Sequence, residues 1–252
     1  MVRCIACGLV YVNPQHIPPD TAYQEDYYEP WLAGQDKARR KLWARRLADV
    51  EKLWPQRGAL LDIGCGIPLF LDMARSNGWQ VQGTEISGAA CRHAEEKLGI
   101  PVFHGPVENA PFEKKSFDVI TMWHVLEHIG EPFRTLSHVH GLLRPGGLLV
   151  VATPNLNNYF MRAAYRIGRG KPLRLFSTND REIHLFHFTA ATHRRALLQA
   201  GFDVLRTIPD NGEVERIKIL TDLPARALHK VTGLMLTNTI RTIARRPMEA
   251  NL

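Results

Sequence analysis

The chain has 252 residues and an apolar fraction of 45%, which suits one large globular domain with appendages. It contains no run of about 18 apolar residues, which excludes a membrane-spanning helix, and its four cysteines are too few for a disulfide scaffold. The net charge of +7 permits an anionic partner or an acidic membrane surface but requires neither. No signal-peptide pattern follows Met1, and we therefore expect a cytoplasmic protein.

Near the N-terminus, Cys4 and Cys7 form a C-x-x-C knuckle ahead of a strand-like run. The pattern resembles the second half of a zinc ribbon. A structural zinc ion needs four ligands, and the remaining cysteines, Cys65 and Cys91, lie in segments that do not suit this role. We therefore predict a degenerate ribbon half followed by an irregular segment over residues 1–34, and no metal site.

Residues 36–54 are predicted to form a basic amphipathic helix, because Leu42, Leu47 and Val50 recur at helical spacing. The basic residues along it are Lys37, Arg39, Arg40, Lys41, Arg45 and Arg46. These side chains are candidates for contact with nucleic acid, although a solvated charged face is the commoner outcome for such a helix.

The most informative stretch covers residues 59–71 and reads ALLDIGCGIPLFL. It predicts a buried strand, a glycine turn and the start of a helix. Gly64 and Gly66 can adopt positive φ and leave room for a ligand to approach the backbone. Such a turn suits a nucleotide-like ligand at the carboxyl edge of a parallel sheet. A nicotinamide fingerprint would need glycine at position 69, where this chain has Leu69.

The next predicted strand, residues 80–85, ends in a second acid, Glu85. From Gly66 to Glu85 is 19 positions, close to the roughly 20 expected for a carboxylate that accepts hydrogen bonds from ribose hydroxyls. Alone, Glu85 would be a solvated strand end. Together with the glycine turn it indicates a ribose site.

These residues resemble motif I of the class I S-adenosylmethionine (SAM) methyltransferases, acid-x-Gly-x-Gly-x-Gly. Asp62, Gly64 and Gly66 match the motif. Pro68 stands in place of the third glycine, where its ring is expected near the methionine tail of SAM.

Four later segments extend the resemblance in the family's order. Residues 105–112 resemble the adenine-contacting segment, with Pro106 at the usual acid position. Residues 116–128, SFDVITMWHVLEH, resemble the fourth strand and its turn. Residues 142–155 match the Pro-Gly-Gly turn and the strand that follows it. Residues 183–189, IHLFHFT, resemble a segment of small-molecule methyltransferases that include ubiquinone-biosynthesis-like enzymes.

The resemblance covers about residues 56–210 and implies an α/β, Rossmann-like class I methyltransferase fold. Such a fold has a mostly parallel seven-stranded sheet with helices on both faces and an antiparallel last strand. The implied cofactor is S-adenosyl-L-methionine. The residues that the resemblance assigns to it are Asp62, Gly64, Cys65, Gly66, Glu85, Ile86, Val107, Glu108, Trp123 and His124.

The implied reaction moves a methyl group from SAM to a small-molecule acceptor, by O- or C-methylation in a biosynthetic pathway. Positioning in a dry cleft supplies most of the rate of such an in-line displacement. A hydroxyl acceptor also needs a base, which is worth roughly 10²- to 10⁴-fold. The candidates are His187 first, then His184 and His124, each with a purely structural role as the alternative.

We divide the chain into an N-terminal segment (1–34), a methyltransferase domain (35–221, with a cap insertion at about 156–188) and a basic C-terminal helical extension (222–252). The last strand pair is predicted at residues 202–208 and 214–220. The C-terminal helix is expected to pack on its own domain. Dimer formation and peripheral contact with a membrane surface are the alternatives.

Three other functions stay open. A nucleic-acid (tRNA or rRNA) methyltransferase would use the basic helices at residues 36–54 and 223–246, and its binding would depend steeply on salt. A SAM-binding protein without catalysis is the second, and a nicotinamide-dependent oxidoreductase is the weakest. We expect a small-molecule acceptor, no stable nucleic-acid partner, and a monomer or homodimer.

Overall fold

The computed structural model describes residues 1–15, 36–177, 183–210 and 216–249. Most of the predicted irregular segment, residues 16–34, lies outside these ranges. The elements of the first half of the chain are β1 (Val2–Arg3), β2 (Val10–Tyr11), α1 (Asp36–Leu53), β3 (Ala59–Ile63), α2 (Leu69–Ser76), β4 (Gln80–Glu85), α3 (Gly88–His93), a π-helical turn (Ala94–Leu98) and β5 (Val102–His104).

The second half begins with β6 (Phe117–Trp123) and a short 3₁₀ turn (Leu126–His128). The remaining elements are α4 (Pro132–Leu142), β7 (Leu143–Pro154), α5 (Tyr159–Arg169), β8 (Phe186–His187), α6 (Ala190–Gln199), β9 (Asp203–Pro209), α7 (Arg216–Thr232) and β10 (Thr239–Arg245). Helix α6 starts with a capping box in which Thr189 and Thr192 exchange side-chain and backbone hydrogen bonds.

Within the described residues, seven strands form a central sheet in the order β5-β4-β3-β6-β7-β10-β9. The pairs from β5 through β7 are parallel, and β10 is antiparallel to both β7 and β9. The predicted mostly parallel seven-stranded fold with one antiparallel strand is therefore confirmed.

The sheet is covered on both faces because its strands are apolar on both. In β6, Ile120 and Met122 pack into one buried cluster, together with helices α4 and α6. Val119 and Trp123 pack into the other, with helices α1 and α2. Parallel strands covered by helices on both faces place their carboxyl ends at one edge, where loops can build a ligand site.

The C-terminal prediction was correct for strand β9 and for a helix over residues 222–232, and wrong for two segments. Residues 216–220, predicted as part of a strand, belong to helix α7, and residues 239–245, predicted within a basic helix, form strand β10. The strand is held by long-range pairing, since it lies between β7 and β9. Its Arg241 is buried and donates to Asp49 of α1 at 2.7 Å. The division into domains stays a prediction.

A second, three-stranded sheet joins the N-terminus to the segment that carries two of the predicted histidines. Strand β2 pairs with β1 and with β8, so Val10 lies opposite His187. Val12 also donates its backbone N–H to the carbonyl of Leu185 at 2.9 Å. The strand after the C-x-x-C knuckle therefore supports the segment that carries His184 and His187. Cys4 and Cys7 are free thiols.

No described helix combines the length and the apolar character needed to cross a bilayer.

Candidate active site

A cavity of about 1420 Å³ lies at the carboxyl ends of β3, β4, β6 and β7. All the residues predicted for cofactor binding and catalysis line it, namely Asp62, Gly64, Cys65, Gly66, Glu85, Ile86, Val107, Glu108, Trp123, His124, His184 and His187. Sites for one small ligand typically measure roughly 300–1,000 Å³, so this cavity has room for two molecules side by side.

The glycine turn is closed over the end of β4. Gly64 and Gly66 have φ of 65° and 53°, the left-handed region that glycine adopts without strain. The backbone N–H groups of Gly64 and Cys65 both donate to the carbonyl of Thr84, at 2.8 and 3.1 Å. A Cβ at position 64 would lie 2.6 Å from Cγ2 of Val125, so the turn leaves no space there for a side chain.

Glu85 is held by the turn that it faces. Its carboxylate accepts from the N–H of Gly66 at 2.8 Å and from the N–H of Ser87 at 2.9 Å. Burial raises the pKa of Glu85, and these backbone donors oppose that rise. A carboxylate has about four acceptor positions. Glu85 therefore keeps capacity for two hydroxyl groups of a ligand while its orientation is fixed.

Asp62 lies deeper than Glu85. Its side chain accepts from the hydroxyl of Thr121 at 2.6 Å and is 2% exposed. Burial raises its pKa to about 7, although the Thr121 hydrogen bond and the charge of Arg46 oppose the rise. Pro68 is buried ahead of α2, and the described lining of the cavity includes Ile67 and Leu69 but not Pro68. The proline ring therefore lies outside the described lining of the cavity, and its expected position near a methionine tail stays a prediction.

The predicted adenine segment forms a short 3₁₀ turn, Val107–Asn109, on the other side of Glu85. Glu108 accepts a short hydrogen bond from the hydroxyl of Thr135 in α4, which fixes its carboxylate at the cavity wall. Ile86, which is 46% exposed, also lines the cavity. The cavity wall therefore includes both a carboxylate and an apolar side chain.

Arg46, which the sequence placed on a solvated or nucleic-acid-binding face, is buried in the site. Its guanidinium lies 4.4 Å from the ring centre of Trp123 and 4.8 Å from that of Trp43. It donates to Asp210 at 2.6 Å and to Nε2 of His124 at 3.3 Å. The helical spacing of Leu42, Arg46 and Val50 places Arg46 on the apolar face of α1, unlike its neighbour Arg45. Its polar partners could not be predicted in this way, because they follow β6 and β9.

His124 occupies a strained position just after β6, with φ of 60°. Arg46 can only donate, so Nε2 of His124 accepts and its proton lies on Nδ1. Nδ1 is 3.6 Å from Oε1 of Glu127. With both ring nitrogens directed at fixed partners, His124 is better placed to orient Glu127 than to accept a proton.

Glu127 is the least expected feature of the site, because it is not among the residues that the sequence predicts for cofactor binding or catalysis. It is 1% exposed, and neither carboxylate oxygen has a hydrogen-bond partner among the described residues. Burial raises the pKa of a carboxyl, but His124, His128 and His184 outweigh that effect and bring the pKa of Glu127 to about 2. A buried carboxylate of this kind needs positive charge beside it.

The remaining histidines complete a cluster with Glu127. The ring centres of His128 and His184 are 4.8 Å apart, and those of His184 and His187 are 6.2 Å apart. Burial lowers the pKa of His187 to about 4, and its Nε2 has no hydrogen-bond partner among the described residues. His187 is thus a neutral imidazole in the cavity wall.

Comparison with known proteins agrees with this geometry. Residues 36–207 match the family model described as a methyltransferase domain. A probable S-adenosylmethionine-dependent methyltransferase of Mycolicibacterium smegmatis is 30% identical over 175 residues, which is 68% of this chain and 63% of that protein. A ubiquinone biosynthesis O-methyltransferase of Coxiella burnetii is 31% identical over 139 residues, 53% of this chain and 58% of that protein. The chain therefore spans about three fifths of the length of these relatives.

Among solved structures, a SAM-dependent methyltransferase from Thermotoga maritima, described as a possible histamine N-methyltransferase, has a TM-score of 0.60 at 19% identity. The match covers 92% of this chain and all of that one. A chain of the Haloferax volcanii complex of a methyltransferase with its activator Trm112 has a TM-score of 0.62 at 17% identity, covering 90% of this chain and 99% of that one. These likenesses show the Rossmann-like class I fold, and the match over residues 36–207 shows that the chain belongs to the methyltransferase domain family.

Proposed function

We propose that this chain transfers a methyl group from SAM to an oxygen or carbon atom of a small-molecule acceptor. The observation that carries the proposal is the contact between the glycine turn and Glu85, in which Gly66 donates to the carboxylate at the cavity edge. A turn with glycine at positions 64 and 66 and an oriented carboxylate suit a nucleoside with an extended tail.

The residues fit SAM part by part. Glu85 has acceptor capacity for both ribose hydroxyls, while Glu108 and the backbone near Val107 are placed for the adenine ring. Gly64, Cys65 and Gly66 leave backbone exposed for the methionine tail. Trp123 lines the same cavity. When bound there, SAM supplies a methyl group already activated on a sulfonium.

The chain's own contribution is positioning and proton transfer. The histidine cluster lies in the wall of the same cavity, so an acceptor beside the cofactor meets it directly. Nε2 of His187 is the unpartnered acceptor for the proton of a hydroxyl. With an identified acceptor, His187→Gln should lower turnover by roughly 10²- to 10⁴-fold. Unchanged turnover would remove His187 from this role.

Two observations weigh on the alternatives. Arg46 is turned into the interior and Arg241 is buried in β10, so both basic segments offer less charge to a nucleic acid than their sequences predict. Within this proposal, O-methylation is supported by the likeness to ubiquinone biosynthesis O-methyltransferases, one of which is 31% identical over 139 residues.

Titration calorimetry with SAM and with S-adenosylhomocysteine tests the proposal. Saturable binding by the intact chain should be lost in Gly64→Arg and Glu85→Ala. It should survive in Glu95→Ala, a matched control on the exposed face of the π-helical turn. Absence of binding by the intact chain, or equal binding by Glu85→Ala and Glu95→Ala, would contradict the proposed site.

A further inference from the structure

We propose that Glu127, His128 and His184 bind one divalent transition-metal ion in the acceptor half of the cavity. Each residue offers one ligand atom, and these atoms all lie within 4.8 Å of one another. The sequence did not predict this site, because Glu127 and His184 are far apart in the chain and meet only when β8 folds against the turn after β6.

The carboxylate supplies the strongest observation. Both oxygens of Glu127 are buried and have no donor within hydrogen-bond distance among the described residues, and Nδ1 of His124 lies 3.6 Å away. Five histidines line the same cavity as Glu127. Leaving an ionised group in the interior without a donor costs far more than leaving a neutral one. A bound cation is the partner that this geometry lacks.

The imidazole of His128 is already arranged as a ligand. Its Nδ1 donates to the carbonyl of Ile183 at 2.9 Å, which fixes the tautomer and leaves Nε2 with a lone pair. Metal-binding histidines commonly donate their second nitrogen to a backbone carbonyl in this way. His124 serves Glu127 similarly, since its protonated Nδ1 lies 3.6 Å from the carboxylate.

Backbone hydrogen bonds fix the position of His184, the third proposed ligand. Leu185 donates its N–H to the carbonyl of Glu127 at 2.8 Å, while Ile183 accepts from His128. His184 lies between these two anchors, so its ring stays against the turn that carries the other ligands. Two bonds of about 2.1 Å span at most about 4.2 Å. Small side-chain rotations therefore close the cluster around an ion.

The ligand set indicates the class of metal. Imidazole and carboxylate together suit Zn²⁺, Mn²⁺, Fe²⁺ and Co²⁺ better than Ca²⁺. Three protein ligands leave coordination positions open, as in catalytic rather than structural sites. An acceptor hydroxyl bound there would lose its proton more readily, either to water or to Nε2 of His187. This role for the ion rests on the proposed methyl transfer, whereas the binding site does not.

Titration of the full, metal-free chain with CoCl₂, followed by its visible d–d absorption, tests the site. We expect saturation at one equivalent, and affinity at least about tenfold weaker in Glu127→Gln and in His184→Gln. Glu131→Gln, an exposed carboxylate close by, is the matched control and should bind as the intact chain does. Because Glu127 is buried, the half-exposed His184 variant carries the test if Glu127→Gln fails to fold.

Three results would overturn the site: no Co²⁺ absorption by the intact chain, equal affinity in His184→Gln and Glu131→Gln, or loss of binding only in Cys4→Ser/Cys7→Ser. SAM calorimetry on the same metal-free protein is a separate readout. If the intact chain binds SAM but does not bind Co²⁺, this inference is refuted and the proposed function is unaffected.

Discussion

At the scale of single residues, the site depends on positions where the backbone conformation and the surrounding side chains favour glycine. Gly64 combines positive φ with contact against Val125, whereas Gly99 has a similar φ of 59° and nothing within 4 Å of an added Cβ. The two glycines therefore separate backbone strain from steric contact.

Gly64→Ala and Gly99→Ala should each lose about 1–2 kcal/mol from the strained φ, and Gly64→Ala about 1–3 kcal/mol more from the clash. Only Gly64→Ala should weaken SAM binding, because Gly99 lies outside the described lining of the cavity. Urea unfolding and SAM calorimetry measure both quantities. Equal losses in the two variants would show that Val125 yields at no cost.

His193 gives the fold a pH dependence of known sign. Its Nδ1 is 2.9 Å from the hydroxyl of Thr242, and burial lowers its pKa to about 4 from 6.5. Between these values the unfolded chain binds a proton that the folded chain does not. The free energy of unfolding therefore falls as the pH drops from about 6.5 to 4 and is restored as the pH rises.

His193→Gln should flatten this pH dependence by on the order of 3 kcal/mol across the interval, even if its stability at pH 7 is lower. Urea unfolding of both proteins from pH 7 to pH 4 measures the difference in slope. Parallel curves would mean that His193 takes up its proton in the folded chain as readily as in the unfolded one.

At the scale of elements, helix α1 contacts the sheet through ion pairs as well as apolar side chains. Arg46 and Arg241 lie on either side of Asp210, at 2.6 and 3.4 Å. Burial raises the pKa of Asp210, but the two guanidiniums outweigh it and hold the pKa below its usual value. The helix thus forms a wall of the cavity rather than a separate basic surface.

Arg46→Met should lower the free energy of unfolding by about 3 kcal/mol, because it leaves Asp210 and Nε2 of His124 buried with fewer donors. Arg45→Met, on the exposed face of the same helix, should change it by less than about 0.5 kcal/mol. Thermal or urea unfolding compares them. Similar small effects in both variants would show that Arg46 contributes no more than a surface charge.

The same helix shows where sequence reasoning succeeds and where it stops. Periodicity predicted α1 almost to the residue, since apolar spacing is a local property. The same spacing places Arg46 on the apolar face, but not against Asp210 and Trp123, which are distant in sequence. Strand β10 was missed although four of its seven residues are β-branched. The basic residues around it favoured a helix, and the pairing that makes residues 239–245 a strand comes from β7 and β9.

At the scale of the whole molecule, the glycine turn, Glu85 and the four later segments predicted the sheet and brought the candidate site residues to one edge of it, because parallel strands bring their carboxyl ends together. Gly64, Glu85 and Trp123 end neighbouring strands and line one cavity. The arrangement around Glu127 was not predictable. It requires the small sheet of β1, β2 and β8, which pairs N-terminal strands with the segment that carries His184 and His187.

The most direct test of the account is a crystal structure of this chain grown with S-adenosylhomocysteine. We predict the ribose hydroxyls on the carboxylate of Glu85, the homocysteine tail along Gly64–Gly66, and the sulfur directed toward the histidine cluster. A ligand bound elsewhere, or a cavity without ligand at saturating concentration, would contradict the central claim that this cavity is a methyl-transfer site.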